Sequence, residues 1–306
     1  MLPYGKIQAF LHILFSLTLQ NPRGCAIIIH IPLSKGKIMY TKNDIFAQLD
    51  AMHAPKGSVV MMHTSLRLVG EVEGGAQGLL DAMIEYFTAD GGLFCVPTHT
   101  WSEIGEDKIT LDFLNPESCL GTFSDIAAKD PRGVRSVNPT HSIVVFGDRA
   151  AAEEFVKDDE FVKTSTAPES CYGKIIERGG YILLVGVAHN RNTVLHCAAE
   201  MLKLPNRMAD KPRPTTIRMQ DGTVIDREIT LYYTDYSPDI CWRFPKYETA
   251  FRYHGCITDG FIGDAPTQLC SAEKMKDTIA LIWERSGGED PLAVEDPIPQ
   301  AWYCRK

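Results

Sequence analysis

None of the nine cysteines in this 306-residue sequence forms a CxxC pair, so neither a zinc ribbon nor a dithiol redox motif is written in it. Their scatter reads as reduced thiols of a cytoplasmic protein, not as a disulfide framework. GK[ST] and GxGxxG are both missing, which removes the familiar nucleotide-binding fingerprints, and HExxH is missing as a zinc signature. Basic charge is in the minority. Thirty-one Lys and Arg face 39 Asp and Glu, for a formal charge of −8. Such a chain is a poor candidate for binding nucleic acid through a broad basic face, and a cationic substrate is weakly favoured. Apolar runs long enough to span a bilayer as a helix are lacking too. The stretch 7–19 is 13 residues long and broken by Gln8 and His12, against the roughly 20 residues such a helix needs. No internal repeat or low-complexity tract appears.

What is present is a globular composition, 44% hydrophobic and 23% charged, enough for a sizeable core in one large α/β domain or about two smaller ones. Residues 1–38 read as an extension outside the fold. Lys6 ahead of the apolar stretch also suits an exported or membrane-tethering segment, but QNPRGC offers no small-x-small cleavage site. Ordinary α/β patterning begins near residue 39 and runs to about 290. The Pro/Gly-rich, acidic segment 291–306 reads as a tail.

Helical spacing marks 41–53, 74–87, 149–157, 169–178, 192–203, 247–253 and 272–284, while 101–138 reads as loop-rich. Short continuous apolar runs at 58–63, 93–96, 142–146 and 181–187 read as buried strands. Arg213–Met219 and Thr223–Tyr233 flank Asp221-Gly222, a hairpin signal that makes the sheet mixed. The fold class is therefore α/β, a mixed central sheet with helices on both faces. Ligands in such sheets collect where strands end and loops begin.

Three strand ends carry candidate chemistry. His63-Thr64-Ser65-Leu66-Arg67-Leu68-Val69-Gly70 leads into Glu73-Gly74-Gly75 and a helix. Backbone N–H groups and Arg67 there suit a phosphate, or the stretch is an ordinary glycine turn. Pro97-Thr98-His99-Thr100 ends the next strand, and Arg135-Ser136-Val137-Asn138-Pro139-Thr140-His141-Ser142 enters another. His99 reads as a solvated loop residue or a groove-lining one; His141 reads as a loop anchor or a site residue. In the third, Thr193, His196 and Glu200 follow the strand 181–187 at i, i+3 and i+7, on one helix face. An alcohol, an imidazole and a carboxylate so placed make an acid–base site: Glu200 orients His196, His196 takes a proton, and Thr193 donates to a developing oxyanion. A plain His–Glu surface pair is the alternative, and a shared metal ion a further one. Cys197 points about 100° away from His196 and reads as packing.

Together, HTSLRLVG with EGG, GGLFCVPTHT, RSVNPTHS, TVLHCAAE and the late Gly260-Phe261-Ile262-Gly263-Asp264-Ala265 resemble the aminoglycoside 3-N-acetyltransferase family over roughly residues 41–285. That family has the antibiotic N-acetyltransferase fold, which is not the GNAT fold. The resemblance implies acetyl-CoA as donor, no metal, and a small-molecule amine as acceptor, the 3-amino group of an aminoglycoside or a related compound. No nucleic acid or membrane partner is implied. Through TxLHxAE the resemblance implies Thr193, His196 and Glu200 as the catalytic group. Through HTSLRxLG and PTxT it implies that Ser65, Leu66, Arg67, Leu68, Val69, Gly70, Pro97 and Thr98 border the CoA pantetheine and phosphates. The segment YYTDYSPDICWRFPKYETAFRYHG departs from the pattern. Asp235, Asp239 and Glu248 supply acidity there, but Arg243, Lys246 and Arg252 interrupt it. A metal-assisted amidohydrolase built on His189, His196 and Glu200 and a non-catalytic CoA-binding module are the competing readings.

Overall fold

Four apolar runs form the middle of the molecule, and their side chains alternate between two cores. In this computed structural model, residues 16–20, 26–30, 39–105, 107–237 and 239–304 are described. The chain divides into two units, 1–38 and 39–306. In the first, β1 (Ser16–Gln20) pairs antiparallel with β2 (Ala26–His30). The rest of that unit, including most of the apolar stretch 7–19, lies outside the described residues.

The second unit opens with β3 (Met39–Tyr40) and α1 (Lys42–Ala51). Thr41 starts α1 with a reciprocal capping box: its hydroxyl accepts the Asp44 N–H, and the Asp44 carboxylate accepts the Thr41 N–H at 2.9 Å. Then come β4 (Val59–Thr64), a single turn α2 (Leu66–Val69), β5 (Glu71–Val72), α3 (Gly75–Thr88) and β6 (Leu93–Pro97). The stretch 101–138 holds β7 (Leu111–Asp112), α4 (Thr122–Lys129) and β8 (Val134–Arg135). Next follow β9 (Ile143–Phe146), α5 (Arg149–Val156), α6 (Cys171–Glu177), β10 (Tyr181–Val185) and α7 (Val194–Met201). The chain continues through β11 (Arg213–Arg218), β12 (Val224–Ile229), α8 (Glu248–Tyr253), β13 (Ile257–Ile262), β14 (Ala265–Ser271) and α9 (Ala272–Arg285).

Seven strands form the central sheet in the order β13-β14-β10-β4-β6-β9-β8. The strand β4 is parallel to both β10 and β6; the other pairings are antiparallel. The sheet is mixed, as the sequence indicates, but for a different reason. The hairpin β11–β12 lies in a separate three-stranded sheet with β7, and the central-sheet strands that run against β4 are β9 and β14.

Period-two alternation sorts the side chains. Val59, Met61, Ile182 and Leu184 face the core built by α5 to α9, whereas Val60, Met62, Leu183 and Val185 face the core under α1, α3 and α4. Helices thus cover both faces. Residues beyond 290, expected as a tail, add Leu292, Ile298 and Tyr303 to the first core. Among the described residues no helix is long and apolar enough to cross a membrane.

The GFIGDA stretch forms the tip of the β13–β14 hairpin. Gly263 sits at φ +58°, and a Cβ there would come within 2.0 Å of the Val69 carbonyl oxygen, so only glycine fits. The Gln48 side chain of α1 grips that tip from both sides, donating to Gly263 O at 3.0 Å and accepting from Gly263 N at 2.7 Å. Asp264 N donates to Val69 O at 2.9 Å, and Tyr40 Oη donates to the Asp264 carboxylate at 2.8 Å. The hairpin tip and the 65–70 turn are therefore one packed unit.

Candidate active site

The carboxyl ends of β4, β6 and β10 open onto a cleft with two limbs. The larger, about 570 Å³, is lined by Thr64, Ser65, Leu66, Pro97, Leu120, Thr122, Phe123 and Val187, among others. The smaller, about 270 Å³, is lined by His99, His141, Ser165, Thr193, His196, Tyr232 and Asp239, among others. Both limbs are walled by His63, Trp101, Leu120 and Arg191. Gly186, at φ +64°, ends β10 beneath the 65–70 turn, where a Cβ would lie 2.9 Å from the Leu68 Cβ. Ser65 N donates to Val185 O at 2.9 Å.

The first turn of α7 places Thr193 and His196 in the smaller limb, as expected of residues three apart. The His196 ring lies between two aromatic rings, with Tyr232 at 3.9 Å and Phe244 at 4.8 Å between centroids. Its Nδ1 is enclosed without a hydrogen-bond partner.

Glu200 shares the helix face but not the limb. Its carboxylate accepts from Thr164 Oγ1 at 2.5 Å, Thr166 Oγ1 at 2.9 Å and Tyr232 Oη at 2.9 Å, and none of its hydrogen bonds reaches the His196 ring. In TxLHxAE the acid stands three residues after the histidine; here that place holds the buried Ala199, and the carboxylate comes one residue later. Glu200 therefore reaches His196 only through Tyr232, whose hydroxyl also donates to the His196 carbonyl oxygen. Glu200→Ala would strip Thr164 of its acceptor and take one of two acceptors from each of Thr166 and Tyr232. It should lower stability by about 1–3 kcal/mol and depress kcat while sparing the KM for acetyl-CoA. Urea unfolding with separate kcat and KM measurements checks this; an unchanged kcat would break the link from Glu200 through Tyr232 to the imidazole.

The other expected residues divide. Ser65, Leu66 and Pro97 line the larger limb, and Arg67 and Leu68 are exposed beside it. Leu66, Val69 and Gly70 border a separate hollow of about 360 Å³. Thr98 is fully buried and spent on Ser142, donating to its carbonyl oxygen at 3.1 Å; it does not line the cleft. Arg135 ties the same two segments, donating to Thr98 O at 2.9 Å and to Ser142 Oγ at 3.2 Å. His99 is buried, not solvated. Tyr172 Oη donates to His141 O at 3.0 Å, so at its 2.8 Å contact with His99 Nε2 the ring nitrogen is the donor. His141 is both anchor and lining residue: its N–H donates to Asn138 Oδ1 at 2.9 Å, and its ring faces the limb. His189 is buried against Phe251 and Asn192, away from the limb. The His189, His196 and Glu200 set of the amidohydrolase reading does not converge, and among the described residues no three His, Cys, Asp or Glu group as metal ligands. Cys197 is buried, and burial pushes its thiol well above the ordinary range.

Burial dominates the electrostatics. It pushes His196 down to about 3, with smaller contributions from His141 and Arg207. Burial, helped by Arg191, lowers His63 to about 4; it also lowers His141 to about 4 and holds His99 well below its usual value. All four rings are neutral near pH 7. Glu200 is raised by burial in spite of its three hydroxyl donors. Sequence spacing gives no sign of Tyr232, Trp101 or Leu120 as site residues, because they come from separate segments; Arg191 stands two residues before Thr193, but spacing alone does not say that it faces the cleft.

The sequence profile described as "Aminoglycoside 3-N-acetyltransferase" matches residues 61–282. Aminoglycoside N(3)-acetyltransferase IV of Salmonella sp is 27% identical over 258 residues, covering 84% of this chain and 91% of the relative. The crystal structure of aminoglycoside acetyltransferase AAC(3)-IVa, apoenzyme, superposes with a TM-score of 0.70 at 25% identity, covering 85% of this chain and 93% of that one. The binary complex of AAC-IIIb with CoASH gives 0.69 at 20% identity, over 81% and 98%.

Proposed function

The chain belongs to the aminoglycoside 3-N-acetyltransferase family and is an acyltransferase; from that premise we propose that it moves an acetyl group from acetyl-CoA onto a primary amine, either the 3-amino group of an aminoglycoside, with antibiotic inactivation as the outcome, or the amine of a related amino compound. One observation carries this reading: an alcohol and a neutral imidazole share a limb that adjoins a larger limb at the strand-end turn.

Acetyl-CoA occupies the larger limb, its pantetheine passing between Ser65-Leu66 and Pro97 with Arg67 outside for phosphate. The acceptor amine enters the smaller limb. The amine nitrogen attacks the thioester carbon, and the C–S bond breaks to release the CoA thiolate. Thr193 donates to the carbonyl oxygen as it gains charge. His196, neutral at the start, takes the proton the nitrogen loses. The imidazolium then faces the departing thiolate, which offsets its charge and accepts the proton. The thioester is already activated, so no covalent enzyme intermediate enters. The eight described cysteines are all free, which supports a reducing, cytoplasmic setting.

Thiol release from acetyl-CoA across a panel of amines tests the reading. Amine-dependent release at a turnover typical of enzymes is expected. CoA binding without release for any amine would leave a binding module instead.

A further inference from the structure

The charges that interrupt the acidic segment in the sequence are not in the cleft. Arg243 pairs with Glu295 at 2.6 Å, Lys246 donates to the carbonyls of Pro291 and Val294, and Arg252 is shared by Glu248 and Asp259. Two of the three acids are spent as well: Asp235 accepts from Asn206, and Glu248 from Arg252. Among the described residues, the smaller limb keeps one carboxylate, Asp239, and one guanidinium, Arg191. Asp239 also caps a short helix, accepting the Cys241 N–H at 3.0 Å.

Arg191 closes the turn that follows β10 and lines both limbs. No carboxylate among the described residues comes within ion-pair distance of it; its guanidinium lies over the Trp242 ring at 5.8 Å. The four histidines around it carry no charge near pH 7. A polycation entering this limb would meet one negative group and one positive one, which is poor complementarity. A small acceptor with one ammonium and one anionic group meets both.

We infer that the acceptor amine also carries an anionic oxygen group, a carboxylate or a phosphoryl group, which Arg191 grips while Asp239 draws the ammonium. This rests on the acetyl-transfer reading and narrows its acceptor class away from polycationic aminoglycosides. Arg191 is then the specificity-determining residue of the smaller limb.

The test uses matched pairs with the full chain: glucosamine against glucosamine 6-phosphate, butylamine against 4-aminobutanoate, and gentamicin as the polycation. In at least one pair the anionic amine should show a kcat/KM about ten- to a hundredfold higher, the worth of a charge-assisted hydrogen bond. Arg191→Ala should collapse that ratio to near one with the KM for acetyl-CoA unchanged. Arg191→Glu should shift preference toward gentamicin; should that variant be inactive, the wild-type ratios decide alone. Two results overturn the inference: gentamicin or the uncharged partners preferred by the wild type, or an Arg191→Ala variant that keeps the ratios but loses acetyl-CoA affinity, which would assign Arg191 to the CoA phosphates. Thiol release that none of these amines increases sinks the acetyl-transfer reading itself, and this inference with it.

Discussion

His196→Ala abolishes amine-dependent thiol release while leaving acetyl-CoA affinity nearly unchanged: this is the largest effect on activity expected of any single substitution. The ring lies in the smaller limb, so on the proposed reading, with the body of acetyl-CoA in the larger limb, its loss removes little of the CoA binding surface. A positioned general base contributes roughly a hundred- to ten-thousandfold. The measurement is kcat at saturating acetyl-CoA beside a binding isotherm for CoA, with a thermal melt to show that the fold survives the cavity between Tyr232 and Phe244. Full turnover in that variant would remove His196 from the chemistry.

The pH profile of the wild type follows from the same ring. Burial lowers His196 to about 3, so it is already the free base well below neutrality. The kcat/KM should therefore show no break near the ordinary histidine value of about 6.5; deprotonation of the acceptor amine should set the rise instead. For stability the sign runs the same way for all four cleft histidines. Their folded values lie below the unfolded one, so between about 6.5 and about 4 the unfolded chain binds more protons, and stability falls with falling pH.

The largest effect on stability is expected at Asp290. Arg207 is 3% exposed and meets the Asp290 carboxylate through both terminal nitrogens, at 2.8 and 3.0 Å, with Tyr236 Oη donating to the same carboxylate at 2.7 Å. Asp290→Ala leaves that guanidinium buried and unpaired, at a cost of about 3–5 kcal/mol. The residues beyond 290 would loosen from the core that Leu292, Ile298 and Tyr303 complete. Burial raises the Asp290 carboxyl, but Arg207 and Tyr236 outweigh it and hold it below the usual range. The pair is thus fully formed above the unfolded value of about 4 and is lost as pH falls through the lower folded value. Chemical unfolding of both proteins at neutral pH and in acid checks this. The gap between them should narrow in acid, and equal stability at neutral pH would mean that the pair contributes nothing.

Much of the fold is legible in the sequence because β4, β6, β9 and β10 are continuous apolar runs, and because Thr41 and Asp44 announce the start of α1. The helix α4 is not, since Gly121 and Pro131 around it look like loop. The hairpin β13–β14 is hidden behind Gly260, Gly263 and Pro266. The hairpin β11–β12 is readable as a hairpin, but alternation with one exposed face does not say which sheet receives it. In the site, helical spacing brings Thr193 and His196 together. It also puts Glu200 on their face, but a helix face is several side chains wide, and what a carboxylate bonds to depends on what packs over it. Thr164, Thr166 and Tyr232 arrive from segments about 30 residues away on either side. Burial of His99 likewise depends on Tyr172, 73 residues downstream.

The grip of Gln48 on both backbone groups of Gly263 makes the first helix of the domain a structural prop for the far edge of the central sheet. That edge strand in turn fixes the Val69 carbonyl through Asp264. A helix sharing no wall with either limb thereby sets the height of the turn beside the larger one. Evolution toward a different acyl donor could therefore begin at α1, far from any atom that reacts.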